Sequence, residues 1–450
     1  MVVLDFFIVN VALPSIAVRL HAGESSLEWV VAGYGLTFAA FLITAGRVGD
    51  ELGRRRVYAI GLGLFTAASA GCGLAPSPTT LVLARALQGA AGAVLMPQVL
   101  SIIGVTYRGE DYVRALSAYG VALGLAAVGG QVIGGALVQT GLGWRGCFLI
   151  NVPIGLAALL LTPRLVPESR SPLRGRIGVT SAIVLATGLV AVLLPLIEGR
   201  QHGWPAWTWI SLATAPAILA AFVRQQGQIR RRGEIPLVDL GLFRERSFSA
   251  GVLTQLFLAS AQASFFVYLA LYLQNGRGLS PLEAGGVFTI LAAAYVVVSG
   301  PAPGLTARFG RSVVSAGGAC LAAGLLLLAL AVGDAGLGGS ILACVPGLLL
   351  VGAGIGLCFT PLTSTVLGAV NPDSAGAASG AMSTMQQVGY ALGVAITGLI
   401  FFGVGHDLAR AFELSVLQLS ALAIGIVAMS RLLPPRAEPT AERAPEPAVA

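Results

Sequence analysis

Long stretches without Asp, Glu or Arg alternate along the chain with short polar links. Thirteen of them reach 17 residues or more: 29–46, 57–84, 86–107, 115–144, 146–163, 177–197, 201–223, 247–276, 284–307, 312–333, 335–372, 374–406 and 414–430. Residues 1–20 add one further apolar segment, interrupted by Asp5. A bilayer crossing takes about 20 apolar residues, and a helix satisfies its own backbone there. The run 57–84 ends in Pro76-Ser77-Pro78, a turn signal. One helix is therefore predicted to stop near Ala75, and the next to begin near Thr79 with Arg85 inside it. The pattern predicts fourteen crossings.

Arginine placement gives the chain its sides. With fourteen crossings both termini share a face, and the connectors on that face carry 21 of the 27 Arg residues. The opposite connectors carry five (Arg19, Arg145, Arg200, Arg277 and Arg410), and Arg85 lies in the membrane. Basic loops stay cytoplasmic, so both termini are expected in the cytoplasm and the protein in the inner (plasma) membrane, multi-pass.

Composition narrows the class. Of 450 residues, 56% are hydrophobic and 10% charged, whereas a soluble domain is about a quarter charged. The net charge of +7 fits topology better than nucleic acid, and no nucleic-acid partner is expected. All 27 basic residues are Arg, a coding bias. The five cysteines lie in apolar runs without metal-ligand spacing and read as small buried hydrophobes. His21, His202 and His406 stand at helix ends, so no metal is expected. Gly352-Ala353-Gly354-Ile355-Gly356 mimics a dinucleotide loop but lies in a membrane run with no strand before it. No P-loop is present, and no convergent nucleophile, base or metal set points to an enzyme.

The chain also repeats itself. Pro97, Gly92 and Ala90 align with Pro361, Gly356 and Gly354, and Gly53-Arg54 aligns with Gly310-Arg311 at a nearly equal offset. The fourth helix thus corresponds to the twelfth. The predicted organisation is a six-helix bundle over 1–163, two inserted helices and their preceding linker over 164–223, and a cytoplasmic linker over 224–246. A second six-helix bundle over 247–433 and a Pro/Ala/Glu-rich disordered tail over 434–450 complete it. Residues 235–243 could form a short interfacial helix. Related bundles packed face to face suggest alternating access about a site between them.

Few residues can carry chemistry inside such a bundle. Asp5 and Arg85 are the clear intramembrane ionisable groups. A charge at mid-membrane costs about 2.5–3.5 kcal/mol on insertion scales, so it tends to have a function. Asp5 is the expected proton carrier, with Arg85 as its counter-charge. Two other readings stay open: Asp5 as a surface carboxylate capping the first helix, and Arg85 snorkelling to the surface. Asn10, Tyr34, Gln98, Gln255, Gln262 and Gln386 are uncharged polar groups in apolar helices, and so candidates to line a substrate cavity. The last six helices hold no mid-membrane acid, which favours neutral or singly charged cargo. In the stretch Gly46-Arg47-Val48-Gly49-Asp50-Glu51-Leu52-Gly53-Arg54-Arg55-Arg56, the glycines permit close helix ends. Asp50 there can cap a helix or pair with an Arg in one conformation only.

That stretch resembles the Gly-x-x-x-Asp-x-x-Gly-Arg-Arg loop of the major facilitator superfamily. Leu4-Asp5 followed by Val9-Asn10-Val11-Ala12-Leu13-Pro14 resembles the first-helix motif of its fourteen-helix drug:proton antiporters, the multidrug efflux family. Arg85-Ala86-Leu87-Gln88-Gly89 with Gly92 resembles their fourth-helix motif, and Trp144-Arg145 through Asn151-Val152-Pro153-Ile154-Gly155 their sixth-helix entry. Gly120, Gly124, Gly130, Gly134 and Gly135 resemble the fifth-helix antiporter motif, with Gln131 where a Pro is usual. Ala307 replaces the Asp of the loop motif's second copy, Phe7 stands where a Thr is common, and Gln386 where an Arg is frequent. Only four residues precede Asp5, fewer than in that family. The expectation is an internal start, half of helix 1 missing, and Asp5 at the membrane surface.

The resemblance implies an all-α polytopic membrane protein with the major facilitator fold, arranged 6+2+6. It implies proton-coupled export of small amphipathic or drug-like compounds, with Asp5 and Arg85 in proton coupling. Gly46, Gly49, Asp50, Gly53, Arg54 and Arg55 would form the gating loop, and Gly124, Gly130, Gln131, Gly134 and Gly135 a packing face. No cofactor beyond the coupling proton, no partner beyond substrate and lipid, and a monomeric state are expected. A facilitator-type transporter of one metabolite is the nearest alternative. A receptor or channel is a second, disfavoured because no charged or carbonyl ring is evident.

Overall fold

The computed structural model describes residues 1–107, 109–169, 179–234, 236, 238, 240–368, 370, 375–405 and 407–435. Asp50 and Gly124 are described by backbone only, and most of the tail lies outside the described residues. Among the described residues every regular element is helical. The first half comprises α1 (Val2–Leu20), α2 (Glu24–Leu52), α3 (Arg54–Gly73), α4 (Pro78–Thr106), α5 (Gly109–Val138), α6 (Arg145–Leu149) and α7 (Asn151–Leu165). Then come α8 (Val179–Glu198) and α9 (Ala206–Arg231). The second half comprises α10 (Arg246–Leu271), α11 (Pro281–Ser299), α12 (Ala302–Phe309), α13 (Ser312–Ala335), α14 (Val345–Gly368), α15 (Ala375–Phe401) and α16 (Leu408–Ser430). Among the described residues, twelve helical segments are long and apolar enough to cross a membrane, α6 and α7 counting as one.

Local chemistry sets the boundaries. Ser77 and Ser280 each cap a helix that opens with Pro, where the missing N–H costs nothing, and each makes a reciprocal capping box (with Thr80 and Glu283). Gly53 ends α2 with φ 113°, and its repeat-mate Gly310 ends α12 with φ 56°. Both stand in a region that side chains avoid, so the two copies of the loop share a backbone device. Pro301 and Pro303 lie where α11 gives way to α12. The helix α9 continues to Arg231, past the apolar run, because Gln and Arg are good helix formers. The polar connector is accordingly shorter than hydropathy predicts. Within it Leu242–Arg244 form one 3₁₀ turn, and Ile235, Leu237 and Asp239 lie outside the described residues.

In the first half α2 packs on α4, α3 on α4 and α7, and α1 on α5. In the second half α13 packs on α14 and α16, and α10 on α15. Between the halves α5 meets α11, α2 meets α15, and α1 meets α10. The helix α8 packs on α9 and also touches α2 and α15, so the inserted pair straddles the seam. A Cβ added at Gly135 (α5) would stand 2.5 Å from the Pro281 carbonyl oxygen (α11), a measure of how closely the backbones approach. The closest inter-half contacts gather towards the end of the molecule where α1 finishes at Leu20. Also across the seam, Phe6 stacks on Tyr390 with centroids 4.6 Å apart, and Phe7 meets Phe266 edge-on.

Candidate functional site

Asp5 and Arg85 come together. Both are fully buried, and the Arg85 Nη1 donates to Asp5 Oδ2. The helices α1 and α4 present them towards a common polar core. Gln88, one turn beyond Arg85, donates to Asp5 Oδ1 at 2.8 Å, and Asn151 at the start of α7 donates to the same oxygen at 2.8 Å. Both amides also donate to Ser69 Oγ at 3.0 Å, and Ser69 hands its proton to the Phe148 carbonyl at 2.9 Å. Arg85 Nε donates to the Val30 carbonyl at 3.0 Å, and its Cζ lies 4.3 Å from the Tyr34 ring centroid. The carboxylate is thus held by a charge and two amides, as a buried charge must be. This corrects the expectation of a surface position. Asp5 lies inside the bundle because α1 is packed against α5 and α10 from its first turns, with Phe6, Phe7 and Ile8 buried around it.

A cavity of about 1000 Å³, mouth included, lies beside this core between the two halves. Helices α1, α2, α4 and α5 form one wall and α10, α11, α14 and α15 the other. The lining is aromatic and aliphatic, with Tyr34, Gln131, Gln262 and Gln386 among its polar members. No Asp, Glu, Arg or His lines it among the described residues. Tyr34 Oη, both polar atoms of Gln131 and Oε1 of Gln387 are buried without a partner. Gln386 donates to Tyr390 Oη at 2.8 Å. A smaller recess lined by Gln255, Thr363 and Ser379 shares Phe359 and Gln386 with the main cavity. Two other candidates stand elsewhere. Asn10 is buried and unpartnered but does not line the cavity, and Gln98 donates to the Ala45 carbonyl at 3.0 Å.

The stretch between α2 and α3 rests on two neighbours. Gly49 lies directly under the Gln98 amide, and Gly46 faces Pro97. Past the turn at Gly53, the Arg54 amide donates to the Ser169 carbonyl at 2.9 Å, and the Arg55 amide to Glu168 Oε1 at 3.1 Å. The Arg55 and Arg56 side chains each approach Glu168 at 3.8 Å. Asp50 and Gly124 are placed on α2 and α5, and nothing further about them is described. On α5, Gly130 and Gly134 face the backbone of α1, while Gly135 faces α11. Gln131, between them, lines the cavity, and both atoms of its amide are buried without a partner.

Sequence reasoning did not reach several of these partners. Gln88, Asn151 and Ser69 are neutral residues whose meeting depends on helix rotation. Glu168 belongs to a polar link that reads only as basic. Glu28 is buried in the second turn of α2, although it borders an apolar run and so reads as a helix end. Its spacing from Glu24, one turn away, was the available signal.

A model of the Major Facilitator Superfamily matches residues 1–394. The chain belongs to this superfamily of membrane transporters. It is 37% identical to the "Probable actinorhodin transporter" of Streptomyces coelicolor, over 89% of this chain and 70% of that one. It is 35% identical to "Multidrug resistance protein Stp" of Mycobacterium tuberculosis, over 89% and 73%. It is 34% identical to "Cephamycin export protein CmcT" of Amycolatopsis lactamdurans, over 98% and 91%. Among solved structures, a POT family transporter with a bound thioalcohol-conjugated peptide superposes with TM-score 0.67 over 96% of this chain and 95% of that one, at 14% identity. An inward-facing, unoccupied bacterial homologue of the lysosomal transporter Spinster superposes with TM-score 0.65 over 96% and 93%, at 17% identity.

Proposed function

We propose that this chain is a proton-coupled exporter of small amphipathic compounds that works by alternating access. The carrying observation is Tyr34, which belongs to two sites at once. Its ring lies beneath the Arg85 guanidinium, and the same residue lines the cavity, its hydroxyl buried without a partner. Phe6 and Phe7, which follow Asp5 on α1, line the same cavity. Protonating Asp5 removes the charge that holds Arg85, so α1 and α4 lose their strongest tie. The cavity wall then moves with the proton. A substrate pressing on Phe6, Phe7 and Tyr34 acts on the same pair from the other side, which is the competition that antiport requires.

Among the described residues, twelve segments meet the length and hydropathy of a crossing. Adding α3 and α5, which pack within the first bundle, gives fourteen crossings arranged 6+2+6. The excess of Arg in one set of connectors supports a cytoplasmic side for both termini. The Leu20 end is then extracellular and sealed, and the recess at Gln255 leads towards the cytoplasm. This is an inward-facing state. The cavity's aromatic walls and free amides suit a neutral or singly charged amphipath. The relatives named for actinorhodin, cephamycin and multidrug resistance support export over facilitated uptake. The chain works as a monomer, makes no covalent bond, and uses protons as its coupling ion with no other cofactor.

The test is movement of a fluorescent amphipathic dye in inverted membrane vesicles, with and without a proton gradient. Uptake driven by the gradient, and abolished in Asp5→Asn, is the expected result. Equal uptake after the gradient is collapsed overturns coupling.

A further inference from the structure

A second buried carboxylate sits at the extracellular seal, away from the Asp5 core. Glu28 on α2 is 4% exposed. Its Oε1 is so close to α15 that a Cβ added at Gly398 would stand 2.0 Å away. Tyr268 of α10 faces it, and the Tyr268 hydroxyl donates to the Val394 carbonyl of α15 at 2.7 Å. The other charges acting on it are Glu24 on its own helix, and Glu198 and Arg200 where α8 ends. His202 stands 3.8 Å from Glu198. From α15, the contact is backbone at Gly398. Three carboxylates therefore share one arginine. That arginine is engaged elsewhere: Arg200 pairs with Glu24, and donates to the Phe402 carbonyl at 3.3 Å. Among the described residues no cation lies within ion-pair distance of Glu28.

The surrounding contacts make this spot a clasp. Trp29 Nε1 donates to Glu198 Oε1 at 2.9 Å, and Ser25 Oγ to Gln201 at 3.1 Å. Arg200 also lies over the Phe402 ring, Cζ to centroid 5.1 Å. The turn after α8 thus grips the first bundle through α2 and the second bundle through the end of α15. Opening the extracellular side must pull α2 from α15, and doing so brings water to Glu28.

We propose that Glu28 is a second proton-binding site, which takes a proton from the external solution as the seal closes and returns it as the seal opens. Burying an unpaired carboxylate is costly in its charged form and tolerable in its neutral one. In the neutral form its O–H bond is made and broken on the external side only, so this proton is not carried across. It makes the inward–outward equilibrium respond to external pH, acid favouring the sealed state. The inference rests on the alternating-access reading above.

The experiment measures the distance between spin labels at Leu142→Cys and Leu337→Cys, exposed extracellular positions on the two bundles, with the native cysteines replaced by alanine. Distances are taken in lipid nanodiscs from mildly acidic to mildly alkaline pH, in otherwise wild-type, Glu28→Gln and Asp5→Asn backgrounds. One coupled proton shifts the population ratio by up to about tenfold per pH unit. We expect the open fraction to rise with pH in wild type and in Asp5→Asn, where Glu28 still titrates, and Glu28→Gln to stay more closed at every pH and to lose that part of the response. A wild-type pH response in Glu28→Gln, or no pH response in wild type while added substrate still shifts the distances, overturns the Glu28 assignment and leaves alternating access standing. Distances that never change, with pH or substrate, overturn alternating access itself. Should Glu28→Gln fail to insert, Glu28→Asp replaces it: a displaced midpoint supports the assignment and an unmoved one overturns it.

Discussion

The guanidinium of Arg85 sits over the ring of Tyr34, Cζ 4.3 Å from the centroid, at the boundary between the polar core and the cavity. Ring and hydroxyl serve different neighbours, so two substitutions separate them. Tyr34→Phe keeps the cation–π contact and loses only the buried, unpartnered hydroxyl of a residue that lines the cavity. It should alter the KM for dye a few-fold and leave the proton dependence of efflux intact. Tyr34→Leu also loses a desolvated contact worth about 2 kcal/mol. Its transport should become less dependent on the gradient. Parallel dye uptake in inverted vesicles, with the gradient titrated, checks both; identical behaviour of the two variants would remove Tyr34 from the coupling.

Arg85→Ala leaves Asp5 with two amides and no counter-charge inside the bundle. Breaking one side of a buried ion pair costs about 3–5 kcal/mol. Transport should be lost, and the thermal unfolding midpoint in detergent should fall while membrane insertion persists. Arg85→Lys should not rescue it. One ammonium cannot serve the Asp5 carboxylate, the Gln88 carbonyl and the Val30 carbonyl in the fork geometry that the guanidinium provides. Full activity in the lysine variant would show that only the charge matters.

Gly135 and Pro281 set how closely α5 and α11 can approach where the first ends and the second begins. Both contacting groups are backbone, so a rotamer change cannot relieve a clash between them. Gly135→Val should hold this seam apart and favour the outward-open state. Turnover should fall by about tenfold or more, because the cycle stalls at closure. The label pair at positions 142 and 337 should report the longer distance at every pH. Wild-type turnover with the wild-type distance would mean that the seam has slack that the geometry denies.

The helices were legible because lipid forces an apolar run of fixed minimum length, and because Pro76-Ser77-Pro78 and Ser280-Pro281 mark where chains must turn. Asp5 and Arg85 were legible because charge is scarce in such runs and each has a physical cost. The match between the Gly53 and Gly310 turns was legible as a repeat. Partnership was not. Gln88, Asn151 and Ser69 meet Asp5 through the rotation of α3, α4 and α7, which a hydropathy pattern without strong polarity leaves open. The surface expectation for Asp5 failed for a related reason: distance from the chain start says nothing about depth once neighbouring helices cover the first turn. Glu28 was hidden by the counting itself. A carboxylate bordering an apolar run looks like the run's limit, whereas α2 begins one turn earlier and buries it against the other half.

Gln131 stands where the resembled motif has Pro; it lines the cavity, and both atoms of its amide are buried without a partner. An unsatisfied buried amide is a liability that a bound ligand can relieve. Replacing it with Leu keeps the volume near constant, removes the unmet hydrogen-bonding groups and makes the wall more apolar. The protein should become slightly more stable. Substrates bearing a hydroxyl or carbonyl should lose a hydrogen bond worth about 0.5–1.5 kcal/mol, a KM rise of up to roughly tenfold, with substrates lacking such groups unaffected. Efflux of a matched pair of dyes differing by one hydroxyl reads this directly. If Gln131→Leu weakens both dyes equally, the amide acts on the packing of α5 rather than on the cargo.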